Sequence, residues 1–298
     1  MMYDTAALRG ELRFDEPLAD HTSWRVGGPA RYFYLPNDQA DLSAFLRQVP
    51  ASEPLHWLGL GSNVLVRDGG IAGTVICTRK RLKILQQVAS DRILVGVGVP
   101  CAYVARFCVE QNLTGGEFLA GIPGTMGGAL AMNAGAFGGE TWELVQTVTT
   151  VDRAGNVHQR DRSGFRIAYR EVEGLADEWF VACELLLASG DGAAGRKRIK
   201  SLLARRSATQ PVNLPSCGSV FRNPEGDYSA RLIEAAGLKG YRIGGACVSQ
   251  KHANFIINMG HATAADIESL MTHVQNVVMQ QTGLLLKPEV RVIGQAIQ

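Results

Sequence analysis

Apolar residues recur along this chain with two periods, and segments of the two kinds alternate from end to end. Leu42, Phe45, Leu46 and Val49 have the spacing of one buried helix face, which predicts a helix over 38–49. Further helices are expected over 102–110, ending near Asn112, and over 230–236, stopped by Gly237. Residues 194–209 read as a helix with Ile199, Leu202 and Leu203 inward and Arg196, Lys197, Arg198, Lys200, Arg205 and Arg206 around the rest. Thr263 with Asp266 opens another, whose Ile267, Leu270, Met271, Val274 and Val278 keep one face apolar. Strands are expected after the Gly27-Gly28 turn, at 74–78, at 93–99 and at 179–188. The alternating run 144–160 turns at Ala154-Gly155-Asn156 and reads as a hairpin, two short strands flank Lys251-His252, and a last strand is expected to hold Glu289 and Arg291. Residues 191–195, Asp-Gly-Ala-Ala-Gly, are the best linker candidate.

One stretch fits neither period. Residues 117–140, EFLAGIPGTMGGALAMNAGAFGGE, carry almost no charge inside and place glycine at 121, 124, 127, 128, 135, 138 and 139. Such density lets consecutive backbone N–H groups face a flat or anionic ligand, and it equally suits close packing of one element on another. A second loop, Gly59, Gly61, Ser62 and Asn63, follows an apolar strand and leads into Val64-Leu65-Val66. Its Gly-x-Gly has no third glycine at dinucleotide-fold spacing, residues 121–128 lack the Gly-Lys-Ser/Thr ending of a P-loop, and no Gly-x-Ser-x-Gly elbow occurs. The two loops together can hold one extended dinucleotide, diphosphate on backbone N–H groups and rings against small residues such as Ala134 and Ala136.

Composition removes several classes. The 298 residues suit roughly two domains, and the formal net charge of +2 makes no case for nucleic acid or membrane attraction. No run approaches the apolar length of a spanning helix and the first sixteen residues lack the pattern of a signal peptide, so a cytoplasmic protein is expected. Six scattered cysteines without a Cys-x-x-Cys pair and six scattered histidines indicate neither a metal site nor a disulfide framework.

HTSWRVGG, GLGSNVLVRDGG, the glycine-rich run, IAYR, PSCGSVFRNP, KHANFIIN and KPEVRVIG, in this order across nearly the whole chain, resemble the UDP-N-acetylenolpyruvoylglucosamine reductase family. The resemblance implies an α+β protein: a two-subdomain FAD-binding fold of the vanillyl-alcohol-oxidase type, taken as residues 1–78 and 79–192, then an α+β substrate domain, 193–298. It implies non-covalent FAD, NADPH as co-substrate, UDP-N-acetylglucosamine enolpyruvate as substrate and a monomer. The flavin diphosphate would lie on Gly59, Gly61, Ser62 and Asn63 and on Gly121, Ile122, Pro123, Gly124 and Thr125, with Asn133, Gly135, Ala136 and Arg291 also near the cofactor.

The catalytic set the resemblance implies is Arg170, Ser219 and Glu289. Hydride delivery to the β-carbon of the enolpyruvyl group builds negative charge on the α-carbon and its carboxylate. A fixed guanidinium stabilises that charge, a protonated Glu289 can hydrogen-bond the same oxygens, and Ser219 protonates the α-carbon. Asn223, Arg206 and Lys251 are the expected substrate-binding residues. Taken singly, each catalytic residue has an ordinary reading: Arg170 as a surface arginine, Ser219 as a turn cap, Glu289 as an edge-strand carboxylate beside Arg291. The chain resembles the shorter subtype, because no tyrosine lies between Tyr169 and Tyr228 where other members carry a tyrosine loop. Competing readings are another FAD-linked oxidase or dehydrogenase of the same fold, acting on an alcohol or hydroxy acid, and a non-catalytic flavin- or nucleotide-sugar-binding module.

Overall fold

Residues 3–297 are described by the computed structural model. They fall into two compact units, each assembled from three separated segments. The first holds the segment ending at Arg13, Tyr32–Gly59 and Gly73–Arg205; the second holds Phe14–Arg31, Leu60–Ala72 and the segment from Arg206 onward. The sequence boundaries at 78 and 192 do not coincide with these crossings.

In the first unit the expected hairpin forms from Val145–Asp152 and Val157–Asp161 and extends into a five-stranded antiparallel sheet, ordered Val157–Asp161, Val145–Asp152, Glu178–Leu186, Arg92–Gly96, Leu85–Ala89. Ile93, Val95, Cys183 and Leu185 of this sheet pack with Val104, Ala105, Cys108 and Val109 of the helix Cys101–Glu110 and with Met126, Ala129 and Leu130 of the helix Met126–Ala131. A smaller cluster gathers the helix Gln39–Leu46, capped by Asp38, through Leu42, Phe45 and Leu46 around the stacked pair Tyr34–Phe45.

In the second unit the helix Ala264–Thr282 lies as expected, with Thr263 and Asp266 forming a reciprocal cap and all five of its predicted inward residues buried. It packs with Leu232 and Ile233 of the helix Ser229–Ala235 and with a three-stranded antiparallel sheet, Arg242–Ile243, Ala246–Val248 and Ile256–Asn258. Trp24, Val26 and Leu65, distant in sequence, belong to the same core. Val64–Val66 pairs in parallel with Arg291–Ile293.

Three expectations change. The supposed linker at 191–195 is the start of an 18-residue helix, Gly192–Thr209, whose small residues serve close packing: a Cβ at Gly192 would meet the Val109 carbonyl oxygen at 2.1 Å. In that helix Ile199 is buried but Leu202 and Leu203 only partly so. Glu289 lies ahead of the last strand, because its N–H binds the Val220 carbonyl at 2.8 Å and its own carbonyl accepts from Asn63.

Candidate active site

Arg170 occupies the turn of a small hairpin, Arg166–Ala168 with Glu171–Glu173. Its backbone has a φ of 57°, a conformation that costs a non-glycine residue about 1–2 kcal/mol and persists only where the surroundings hold it. Those surroundings are specific. One guanidinium nitrogen donates to the Asn133 carbonyl at 3.3 Å and the other to the Gly135 carbonyl at 3.0 Å, while the Tyr169 ring lies 4.8 Å below. Glu140 Oε1 stands 3.8 Å away, and the arginine side chain is only 15% exposed.

The glycine-rich run carries this arginine's support at one end and a polar recess at the other. Thr125, 1% exposed, precedes the helix Met126–Ala131, and among the described residues its hydroxyl has no hydrogen-bond partner. A Cβ on Gly59 would lie 2.4 Å from that hydroxyl oxygen. A buried unpaired hydroxyl costs about 1–3 kcal/mol, so a donor beside a loop that must be free of side chains fits an acceptor-rich group such as a diphosphate. Gly121 and Ile122 are buried, Gly124, Gly135 and Ala136 half-buried, and Pro123 exposed.

In the second unit Gly218, at φ 71°, makes the turn that presents Ser219. Among the described residues the Ser219 hydroxyl has no hydrogen-bond partner. The next two residues are fastened on both sides. Asn254, 3% exposed, accepts from the Phe221 N–H at 2.9 Å, donates to the Phe221 carbonyl at 2.8 Å, and lends its own carbonyl to the Val220 N–H. Opposite, the Val220 carbonyl accepts from the Glu289 N–H and Phe221 bridges to Pro288. The segments that bear Ser219 and Glu289 are thereby tied through the Val220 and Phe221 backbone, with Asn63 Nδ2 donating to the Glu289 carbonyl at 3.1 Å and the Arg291 N–H donating to Asn63 O at 3.1 Å. Half-buried Ser62 adjoins buried Gly61, whose carbonyl takes the Ser23 N–H. Cys217 Sγ lies 3.5 Å and 3.4 Å from the carbonyls of Gly61 and Val64, and burial pushes its thiol up to about 12, so it acts as a structural donor.

The Lys251 ammonium donates to the carbonyl of Ser207, the residue after Arg206, and burial pushes the Arg206 guanidinium below its ordinary pKa. Asn223 is exposed and accepts from the Ser229 N–H at the start of the helix Ser229–Ala235. Arg170 belongs to the first unit, and Ser219, Glu289, Asn223, Arg206 and Lys251 to the second. Asn254 and Glu140 were not singled out from the sequence. The only signals they gave were an asparagine inside the apolar run of KHANFIIN and a carboxylate directly after Gly138-Gly139. Among the described residues no group of three His, Cys, Asp or Glu side chains could hold a metal.

A family model described as the C-terminal domain of UDP-N-acetylenolpyruvoylglucosamine reductase matches residues 210–293, and one described as an FAD binding domain matches residues 30–160. The UDP-N-acetylenolpyruvoylglucosamine reductase of Methylococcus capsulatus is 62% identical over 98% of this chain and 96% of its own length. The chain belongs to the UDP-N-acetylenolpyruvoylglucosamine reductase family. A family member from Alkalilimnicola ehrlichii is 57% identical over 96% of both chains. The crystal structure of the reductase from Thermus caldophilus matches with a TM-score of 0.81 at 30% identity, over 96% of this chain and 99% of that one. The chain is thus an oxidoreductase of α+β class, with an FAD-binding fold followed by the family's C-terminal domain.

Proposed function

We propose that this chain reduces UDP-N-acetylglucosamine enolpyruvate to UDP-N-acetylmuramate with NADPH, in the supply of peptidoglycan precursors. Beyond family membership, one observation supports the reading: the Glu289 N–H binds the Val220 carbonyl, which ties the backbone next to Ser219 to the segment that bears Glu289. FAD, when bound, accepts hydride from NADPH and supplies it to the β-carbon of the enolpyruvyl group. Thr125 would donate to a diphosphate oxygen beside Gly59, and Gly61, Ser62, Asn63, Gly121, Ile122, Pro123, Gly124, Gly135, Ala136 and Arg291 are the other residues proposed for the cofactor.

Arg170 then holds the substrate carboxylate and stabilises the charge that develops there, a contribution of about 3 kcal/mol for a preorganised donor. Glu289 shares those oxygens through a hydrogen bond, and Ser219 delivers a proton to the α-carbon on one face, giving the D-lactyl ether. Arg206, Lys251 and Asn223 hold the uridine diphosphate. NADPH and the UDP-sugar use the cleft in turn, and the enzyme works as a monomer in the cytoplasm, where both are found. No helix among the described residues is long and apolar enough to cross a membrane.

An absorbance titration tests the whole scheme. Anaerobic NADPH is expected to bleach a flavin band near ~450 nm, and UDP-N-acetylglucosamine enolpyruvate to restore it. Bleaching without restoration would point to another FAD-linked oxidoreductase; no flavin after reconstitution would remove the cofactor assignment.

A further inference from the structure

Resting on that reading of the reaction, we propose that Asn133 is a positioning residue for Arg170, acting through the backbone carbonyls that carry the guanidinium and not through a side-chain contact with the cofactor. Two carbonyls receive the guanidinium, those of Asn133 at 3.3 Å and Gly135 at 3.0 Å. Whatever fixes them fixes the plane of the arginine fork, and the fork's orientation is what a carboxylate recognises.

The Asn133 side chain does the fixing. The residue is 1% exposed and has a φ of 43°. Its Nδ2 donates to the Ala168 carbonyl at 3.2 Å, two residues before Arg170, and to Glu140 Oε2 at 2.7 Å. Its Oδ1 accepts from the Trp142 N–H at 3.1 Å. An amide has two donor hydrogens and both are in use, so one buried side chain ties together the segment bearing the carbonyl pair, the strand entering the arginine turn, and the turn after Gly139. A side-chain hydrogen bond to a cofactor would break one of these ties.

Glu140 completes the support. Its backbone pairs with Gly135 in a two-residue antiparallel ladder, Gly139↔Ala136 and Glu140↔Gly135. Its second carboxylate oxygen, 3.8 Å from Arg170, is beyond hydrogen-bond length and therefore acts through charge.

The two half-reactions separate positioning from general damage. Transfer of hydride from NADPH presents no carboxylate at the reacting carbon, whereas reduction of the enolpyruvyl group needs the guanidinium in place. Asn133→Asp keeps the acceptor for Trp142 and removes both donors. In stopped-flow with FAD-loaded protein it should leave bleaching by NADPH unchanged and slow recovery of the flavin band by UDP-N-acetylglucosamine enolpyruvate about 100-fold, the scale of a misplaced reacting group. Glu140→Gln, which keeps an acceptor for Asn133, should slow the same half-reaction by a smaller factor. Equal losses in both half-reactions, or no loss in recovery, would overturn the inference.

The Arg170 guanidinium 15N–1H signal, assigned by its loss in Arg170→Lys, gives a reading independent of turnover. It should be distinct in the wild type and averaged in Asn133→Asp; an unchanged signal would also overturn the inference. If wild-type flavin is not restored by the UDP-sugar, the reaction assignment fails alone, and the NMR comparison still decides whether Asn133 positions Arg170. Should Asn133→Asp not fold, Glu140→Gln carries both readouts.

Discussion

At the scale of single residues, the proposed chemistry rests on Arg170, Ser219 and Glu289. Ser219→Ala removes a hydroxyl that nothing else among the described residues uses as a hydrogen-bond partner. It should leave FAD bound and reducible by NADPH while product formation stops, and unimpaired turnover would exclude Ser219 as proton donor. Asn254→Ala should instead act through structure: it strips two side-chain hydrogen bonds from the buried backbone of Phe221. At about 1–3 kcal/mol per unpaired group, a loss of ~3 kcal/mol is expected in urea unfolding. Arg170, Ser219 and Glu289 could be proposed from the sequence because their motifs are local and ordered. Asn254 could not, since its partner is 33 residues away and an asparagine in an apolar run has many possible uses.

A third residue sets a response to acid. Burial alone would raise the carboxyl of Asp41, but the Tyr34 hydroxyl and the N–H groups of Asn37, Arg9 and Gly10 outweigh it and hold the pKa below its ordinary value. Stability from this group is therefore complete above the unfolded-state value and is lost as pH falls through the lower folded value. Asp41→Asn should cost ~2 kcal/mol at pH 7, with the gap to wild type narrowing as pH falls below about 3.9 in parallel urea titrations.

At the scale of elements, periodicity located the helices and strands, and burial confirmed the inward face of Ala264–Thr282. Thr263→Ala should cost this helix about 1 kcal/mol, because the hydroxyl accepts from the Asp266 N–H at 3.0 Å. The misjudged element was the start of Gly192–Thr209. A run of glycine and alanine is the composition of a flexible linker and also of a helix end pressed against another chain segment, and only the neighbour distinguishes them. Here the neighbour is the Val109 backbone, so Gly192→Ala should destabilise by about 1–3 kcal/mol through overpacking, measured as a lowered unfolding midpoint. A linker would be indifferent to the change.

At the scale of the whole molecule, the second unit is not a contiguous stretch. Its core includes Trp24, whose indole N–H donates to the Ile256 carbonyl at 2.7 Å and whose own carbonyl takes Asn258 Nδ2 at 2.8 Å. Its strand Arg291–Ile293 has Val64–Val66 as partner. Losing one fully buried tryptophan costs about 3–5 kcal/mol, a large share of the ~5–15 kcal/mol that stabilises a domain. A fragment comprising residues 206–298 alone should therefore lack dispersed NMR signals and cooperative melting. Cooperative folding of that fragment would show the outlying segments to be dispensable. By itself the sequence determined most of the elements, the two glycine-rich loops and the motifs that carry the proposed reacting side chains, because each depends on residues near one another along the chain. Only the tertiary structure decided which segments share a core, that the run from Gly192 is packed helix, and that Asn133, Glu140 and Asn254 bond the segments around Arg170 and Phe221. Those outcomes depend on hydrogen bonds and contacts between residues far apart in sequence, which no local pattern records.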